Sequence, residues 1–148
     1  MIARRSFVCA SAGALALGMF GHARAQGPAL LSVYKSPACV CCGEWIKHMR
    51  ANGFRVETHD VADVTPIKRQ YGVPDGLASC HTAVIAGYAI EGHVPAADVQ
   101  KLLRERPKVR GLAVPGMGPG SPGMVQGAPQ PYATLAFDDR GSRVFARH

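Results

Sequence analysis

The chain has no run of lysines and arginines, no internal repeat, and no apolar stretch long enough for a convincing membrane span. Only 18% of its 148 residues are charged and 7% are aromatic, and the two kinds do not interleave, so a nucleic-acid surface is excluded.

The first 25 residues read as an export leader. Arg4 and Arg5 make a basic start, "FVCASAGALALGMF" is a short apolar run rich in Gly and Ala, and "ARA" ends at Ala25 as a small-x-small cleavage site. "RRSF" is similar to a twin-arginine signal and equally to an ordinary secretory start, so both export routes stay open. The expectation is a periplasmic or secreted protein with no stable membrane insertion once the leader, with Cys9 and His22, is removed. Residues 26–148 then form a single domain. Arg4, Arg5 and Arg24 leave with the leader, so 14 of 17 basic residues remain against 10 acidic ones and the net charge falls from +7 to +4. That mild excess indicates no particular partner.

Along the mature chain, "ALLSVYKSP" predicts a strand from Leu30 to Tyr34, broken by Pro37. "CCGEWIKHMRANGF" takes up helical spacing, with Trp45, Ile46 and Met49 apolar and Asn52–Gly53 as the stop. "FRVETHDV" predicts a second strand. Thr65 is expected to cap a short helix with Pro66 in its first turn. "TAVI" at 82–85 is a buried strand, turned by Ala86–Gly87 into "YAIEGHV". Pro95 begins a helix whose Val99, Leu102 and Leu103 face a core. The order β, α, β, α, β, β, α is thioredoxin-like: a mixed central sheet flanked by helices, with the first strand feeding the active-site helix. After Pro107, "GLAVPGMGPGSPGMVQGAPQPY" predicts a long Gly/Pro/Met-rich loop. "YATLAFDDRGSRVFAR" predicts a closing β-hairpin that turns at "DDRG".

Four cysteines remain: Cys39, Cys41, Cys42 and Cys80. Cys39 and Cys42 form a CxxC at a helix start, where the helix N-terminus stabilises thiolate, the form that acts both as nucleophile and as metal ligand. Cys80, in "ASCHTAVI", occupies the loop before the third strand, where thioredoxin-like folds usually carry a cis-proline. The topology brings it beside the CxCC start, so that four sulfurs surround one point.

The adjacency of Cys41 and Cys42 disfavours a tetrahedral zinc site, whose ligands prefer wider spacing. It suits Cu(I), which is soft and content with two or three ligands, as one ion or as a thiolate-bridged multinuclear set. Iron–sulfur spacings do not match. Inert disulfides and metal-free thiol–disulfide exchange, with Cys39 attacking and Cys42 resolving, are the competing readings. They are the catalytic pair only in that redox reading.

Other candidates divide between ligand and packing roles. His81 is expected to point away from Cys80 by strand alternation, as a core residue or as a group beside the metal ligands. Met117 and Met124 offer soft thioethers but also fill gaps well. His93 reads as satisfying the start of the following helix. His48 and His59 read as surface residues, and Trp45 and Tyr88 as packing residues.

Together "VYKSPACVCCGEWIKHMRANGFRV", "GVPDGLASCHTAVIAGYAIEGHVPAADV" and "GLAVPGMGPGSPGM" resemble the periplasmic, thioredoxin-like family of CopG-type copper-resistance proteins over about residues 30 to 145. The resemblance implies extracytoplasmic copper binding, with Cys39, Cys41, Cys42 and Cys80 at the family's motif positions. It also implies interconversion of Cu(I) and Cu(II) in copper tolerance, which would make the chain a copper oxidoreductase. Its partners would be copper ions and another periplasmic copper protein or electron donor. Passive storage or delivery without redox chemistry is the blander alternative.

Overall fold

A computed structural model describes residues 29–124 and 126–148; the expected leader, with Cys9 and His22, lies outside them. Seven strands form one mixed sheet in the order β2-β1-β3-β4-β5-β6-β7. β1 (Leu30–Lys35) pairs in parallel with β2 (Arg55–Asp60) and antiparallel with β3 (His81–Ile85), which is in turn antiparallel to β4 (Tyr88–Gly92). β5 (Gly111–Val114) runs parallel to β4, and β6 (Ala133–Asp138) and β7 (Gly141–Arg147) close the sheet as an antiparallel hairpin.

The helices are α1 (Val40–Ala51), α2 (Thr65–Gln70) and α3 (Ala96–Glu105). α1 buries Cys42, Trp45, Ile46 and Met49 along one face, the i, i+3, i+4, i+7 set that an amphipathic helix places on one side. With Val99 and Leu102 of α3 these side chains cover Leu31, Val33, Ile85, Ile90, Leu112 and Val114 of the sheet. Val73, Ala89, Ala113 and Phe137 make a second cluster. Consecutive residues of β4 and β5 thus serve different clusters, as strand alternation requires. The β3–β4 turn holds Ala86 at φ 49° and Gly87 at φ 86°, the two positive values a type I′ hairpin demands.

Two expectations are corrected here. Residues 111–114 belong to no loop: "GLAV" is a fully buried strand between β4 and β6. α3 is the crossover that any parallel partner of β4 needs, and Gly111 sits so close to β4 that a Cβ there would lie 2.0 Å from the Ala89 carbonyl oxygen. Thr65 does not cap α2. Val64 precedes the helix, and the Asp63 carboxylate accepts the Thr65 N–H at 2.8 Å, because a short carboxylate two residues back reaches a first-turn donor that the Thr65 hydroxyl does not.

Candidate metal centre

Pro37 ends β1, and the chain turns through Ser36, whose carbonyl accepts the Cys39 N–H at 3.1 Å. That turn delivers Cys39 as the residue preceding α1. No acidic side chain occupies the first turn of α1 and no side chain caps it, so the positive end of the helix is left to the sulfurs. Cys39 and Cys42 are joined by a disulfide, while Cys41 and Cys80 are free thiols. The Cys41 and Cys39 sulfurs lie 3.6 Å apart. Cys80 arrives from the bend before β3, and one sulfur from each of the four cysteines falls within 4.8 Å of the others. The predicted convergence is therefore present in space.

Two imidazoles stand behind Cys80. His81 Nδ1 and His93 Nε2 each lie 3.3 Å from the Cys80 sulfur, and both rings are fully buried. His81 also packs on Trp45, with ring centroids 4.4 Å apart. His81 is thus a core residue as expected, but it does not turn away from Cys80, because Cys80 precedes β3 and strand alternation does not govern it. His93 was expected at the start of the next helix and does something else. The Ala96 N–H at that start is accepted by His48 Nε2 at 3.0 Å, so His48, read as a surface residue, caps α3 and His93 is released to the sulfur. His59 stacks on Tyr34. Trp45 and Tyr88 pack as expected and also hydrogen-bond, to the Val94 and Pro107 carbonyls.

Electrostatics follow from this burial. The Cys80 thiol is pushed up to about 12, chiefly by burial and next by the nearby Cys41. Burial also drives His81 down to about 3, helped by His93, Lys68 and Lys35, and lowers His93. Both rings are neutral at physiological pH and keep lone pairs for a Lewis acid.

The loop that carries Cys80 is held by a buried carboxylate that sequence reasoning passed over. Glu91 on β4 is fully buried and accepts the Ser79 N–H at 2.5 Å, the Thr82 hydroxyl at 2.7 Å and the Lys68 ammonium at 2.5 Å. The one available signal was an acidic residue in an otherwise apolar strand, "YAIEG".

The Gly/Pro/Met-rich loop folds over the cysteines. A cavity of about 390 Å³ is lined by Cys39, Cys41, Met117 and Met124 among others. Close approach is possible because Gly123, at φ 91°, packs its backbone on α1; a Cβ there would lie 2.9 Å from the Cys41 carbonyl oxygen. Met117 itself adopts a left-handed φ of 46°, a conformation costing roughly 1 kcal/mol for a non-glycine residue. Met117 and Met124 thus share one cavity with Cys39 and Cys41.

Residues 77–124 match the family described as "Protein of unknown function, DUF411". Two solved structures of copper resistance protein CopG, form 2 and form 1, are each 46% identical to the chain, covering 82% of it and 98% of their own length, with TM-scores of 0.77 and 0.76. No curated protein matches.

Proposed function

The chain belongs to the family of the copper resistance protein CopG, and we propose from this that it is an extracytoplasmic copper protein holding Cu(I) on Cys39, Cys41, Cys42 and Cys80. The observation that carries the reading is the convergence of four sulfurs within 4.8 Å at a helix N-terminus. With the Cys39–Cys42 disulfide reduced and the thiols deprotonated, four thiolates so close repel one another strongly unless cations lie between them, and a soft monovalent ion fits such a crowded set. Met117 and Met124 bring thioethers to the same cavity, which suits capture and release of Cu(I) in an oxidising compartment. Residues 1–25 are the export leader in this reading and 26–148 one domain. No helix among the described residues is long and apolar enough to cross a membrane. The order β2-β1-β3-β4, with only β3 antiparallel to its neighbours, supports a thioredoxin-like core extended by β5, β6 and β7.

Full loading requires the Cys39–Cys42 disulfide to be reduced, which links copper chemistry to the redox state of that pair. The balanced exchange is two Cu(II) ions plus the dithiol giving two Cu(I) ions, the disulfide and two protons. Another periplasmic protein would return the two electrons. Anaerobic Cu(I) titration of the reduced protein tests the ligand set. More than one tightly held copper per chain with all four thiols protected is expected, and unchanged stoichiometry in Cys41→Ser and Cys80→Ser would refute it.

A second reading, thiol–disulfide exchange without metal, is favoured by the disulfide itself. It expects turnover on a disulfide substrate that survives Cys41→Ser. The segment from Ser79 to Thr82 contains no proline to shape a substrate groove, and the free Cys41 and Cys80 have no role in that chemistry.

A further inference from the structure

The two imidazoles behind Cys80 are more than the four-sulfur reading needs. His81 opens β3 and His93 follows the end of β4; both are fully buried and direct one nitrogen each at the same sulfur at 3.3 Å. Their outer nitrogens, His81 Nε2 and His93 Nδ1, have no hydrogen-bond partner among the described residues. A histidine retained only for packing satisfies its polar atoms when buried. Here each ring has one partner, a sulfur, which is a weak donor and a weak acceptor. A single thiol carries one hydrogen and can donate it to only one of the two rings.

We propose that Cys80, His81 and His93 form a second metal site, of two nitrogens and one sulfur, for a borderline divalent ion. Cu(II) is the ion this chain would present to it; that choice rests on the copper function proposed above. The three ligand atoms lie within 4.8 Å of one another. Around a tetrahedral ion with metal–sulfur and metal–nitrogen bonds of ordinary length, sulfur and nitrogen stand about 3.5 Å apart, so the observed 3.3 Å separations admit an ion after small side-chain adjustments. The donor set differs in kind from the four sulfurs. Two imidazoles with one thiolate is the trigonal combination that holds Cu(II) in electron-transfer sites, whereas thiolates alone select Cu(I). The site also keeps all its ligands when Cys39 and Cys42 are tied in a disulfide, because neither belongs to it. Cys80 is shared, so the oxidised protein retains a place for copper next to the one it has closed.

The test uses the purified protein with its disulfide intact and Co(II) as the probe, since Co(II) does not oxidise thiols and reports its coordination in its visible spectrum. One Co(II) per chain is expected, with intense tetrahedral bands and a thiolate charge-transfer band. His81→Gln and His93→Gln should each weaken binding by at least about tenfold. X-ray absorption on the unmutated protein makes the test independent of how those variants fold. Two nitrogen neighbours with sulfur support the site, and a sulfur-only shell or no bound Co(II) overturns it. Cu(I) titration of the reduced protein separates the two proposals. Cu(I) uptake on four thiols with no Co(II) uptake by the disulfide form defeats the second site alone. Co(II) uptake without any Cu(I) uptake defeats the copper function and leaves the nitrogen–sulfur site standing.

Discussion

Lys68→Met should destabilise this protein more than Glu91→Gln, although both break the same ion pair. Glu91 is completely buried, whereas the Lys68 side chain keeps 14% of its surface exposed at the end of a flexible stem. Removing Lys68 strands a carboxylate in the interior with the Ser79 N–H and the Thr82 hydroxyl as its remaining partners. Breaking a buried pair in this way costs about 3–5 kcal/mol. Glu91→Gln keeps an oxygen to accept the Ser79 N–H, lets its amide donate to the Thr82 hydroxyl instead of accepting from it, and leaves Lys68 free to reach water, so the main loss is the charge-assisted bond to Lys68, about 1.5–3 kcal/mol. Urea unfolding at pH 7 with unchanged m-values gives both numbers. The difference should also appear at the metal site, because Ser79 adjoins Cys80. Lys68→Met should weaken Cu(I) retention in the reduced protein, and Glu91→Gln should nearly preserve it. A Lys68→Met variant within about 0.5 kcal/mol of wild type, the range of an ordinary surface substitution, or one less harmful than Glu91→Gln, would refute the argument.

Three further outcomes are expected. Gly123→Ala places a methyl group against the Cys41 carbonyl oxygen and the Trp45 nitrogen at a φ that disfavours it; it should lift the methionine loop and speed reaction of Cys41 with a thiol reagent in the reduced protein, with stability falling by about 1 kcal/mol or more. Gly111→Ala has no room between β4 and β5, and its cost should exceed about 4 kcal/mol, the range of severe core lesions, so a variant that unfolds at the wild-type urea midpoint would contradict the packing. In the metal-free protein the folded-state value of His81 is depressed from 6.5 to about 3, so the unfolded chain binds the proton first; stability is then lost as pH falls below 6.5, by up to about 1.4 kcal/mol per unit, and His81→Gln should remove that component from urea midpoints taken between pH 7.5 and 5.

Much of this arrangement is legible in the chain because it is written in short-range patterns. Pro37, the spacing of Trp45, Ile46 and Met49, and the Asn52–Gly53 stop specify α1, and once α1 follows β1 the three clustered cysteines must sit at its start. Cys80 is placed by topology alone, since β3 pairs beside β1. What escaped was determined by tertiary context. β5 is four residues long and flanked by glycine and proline, so local propensity reads as loop; only the crossover by α3 and the pairing with both neighbours make it a strand. His93 was misread for a related reason. A histidine near a helix start is ordinarily a cap, and nothing local shows that His48, 48 residues earlier, already bonds the Ala96 N–H. Glu91 depends on Lys68, Ser79 and Thr82, which lie between nine and 23 residues away.

The disulfide gives the proposed copper chemistry a thermodynamic constraint that can be measured. Cu(I) bound by Cys39 and Cys42 binds their dithiol form and not their disulfide, so by linkage Cu(I) must stabilise the dithiol to the extent that it prefers it. The midpoint potential of the Cys39–Cys42 pair should therefore rise on adding Cu(I), by about 30 mV for each tenfold difference in binding between the two forms. Cys41 and Cys80 remain free in both forms, so part of the affinity survives oxidation and limits the shift. Replacing Cys80 with serine leaves Cys41 as the sole constant thiolate and makes Cu(I) binding more dependent on the pair, so the rise should grow even as total affinity falls. Equilibration in glutathione buffers with and without Cu(I), read by thiol alkylation, gives both potentials. A potential unmoved by Cu(I) would mean that copper does not touch the CxxC pair, and the four-sulfur site would have to be abandoned.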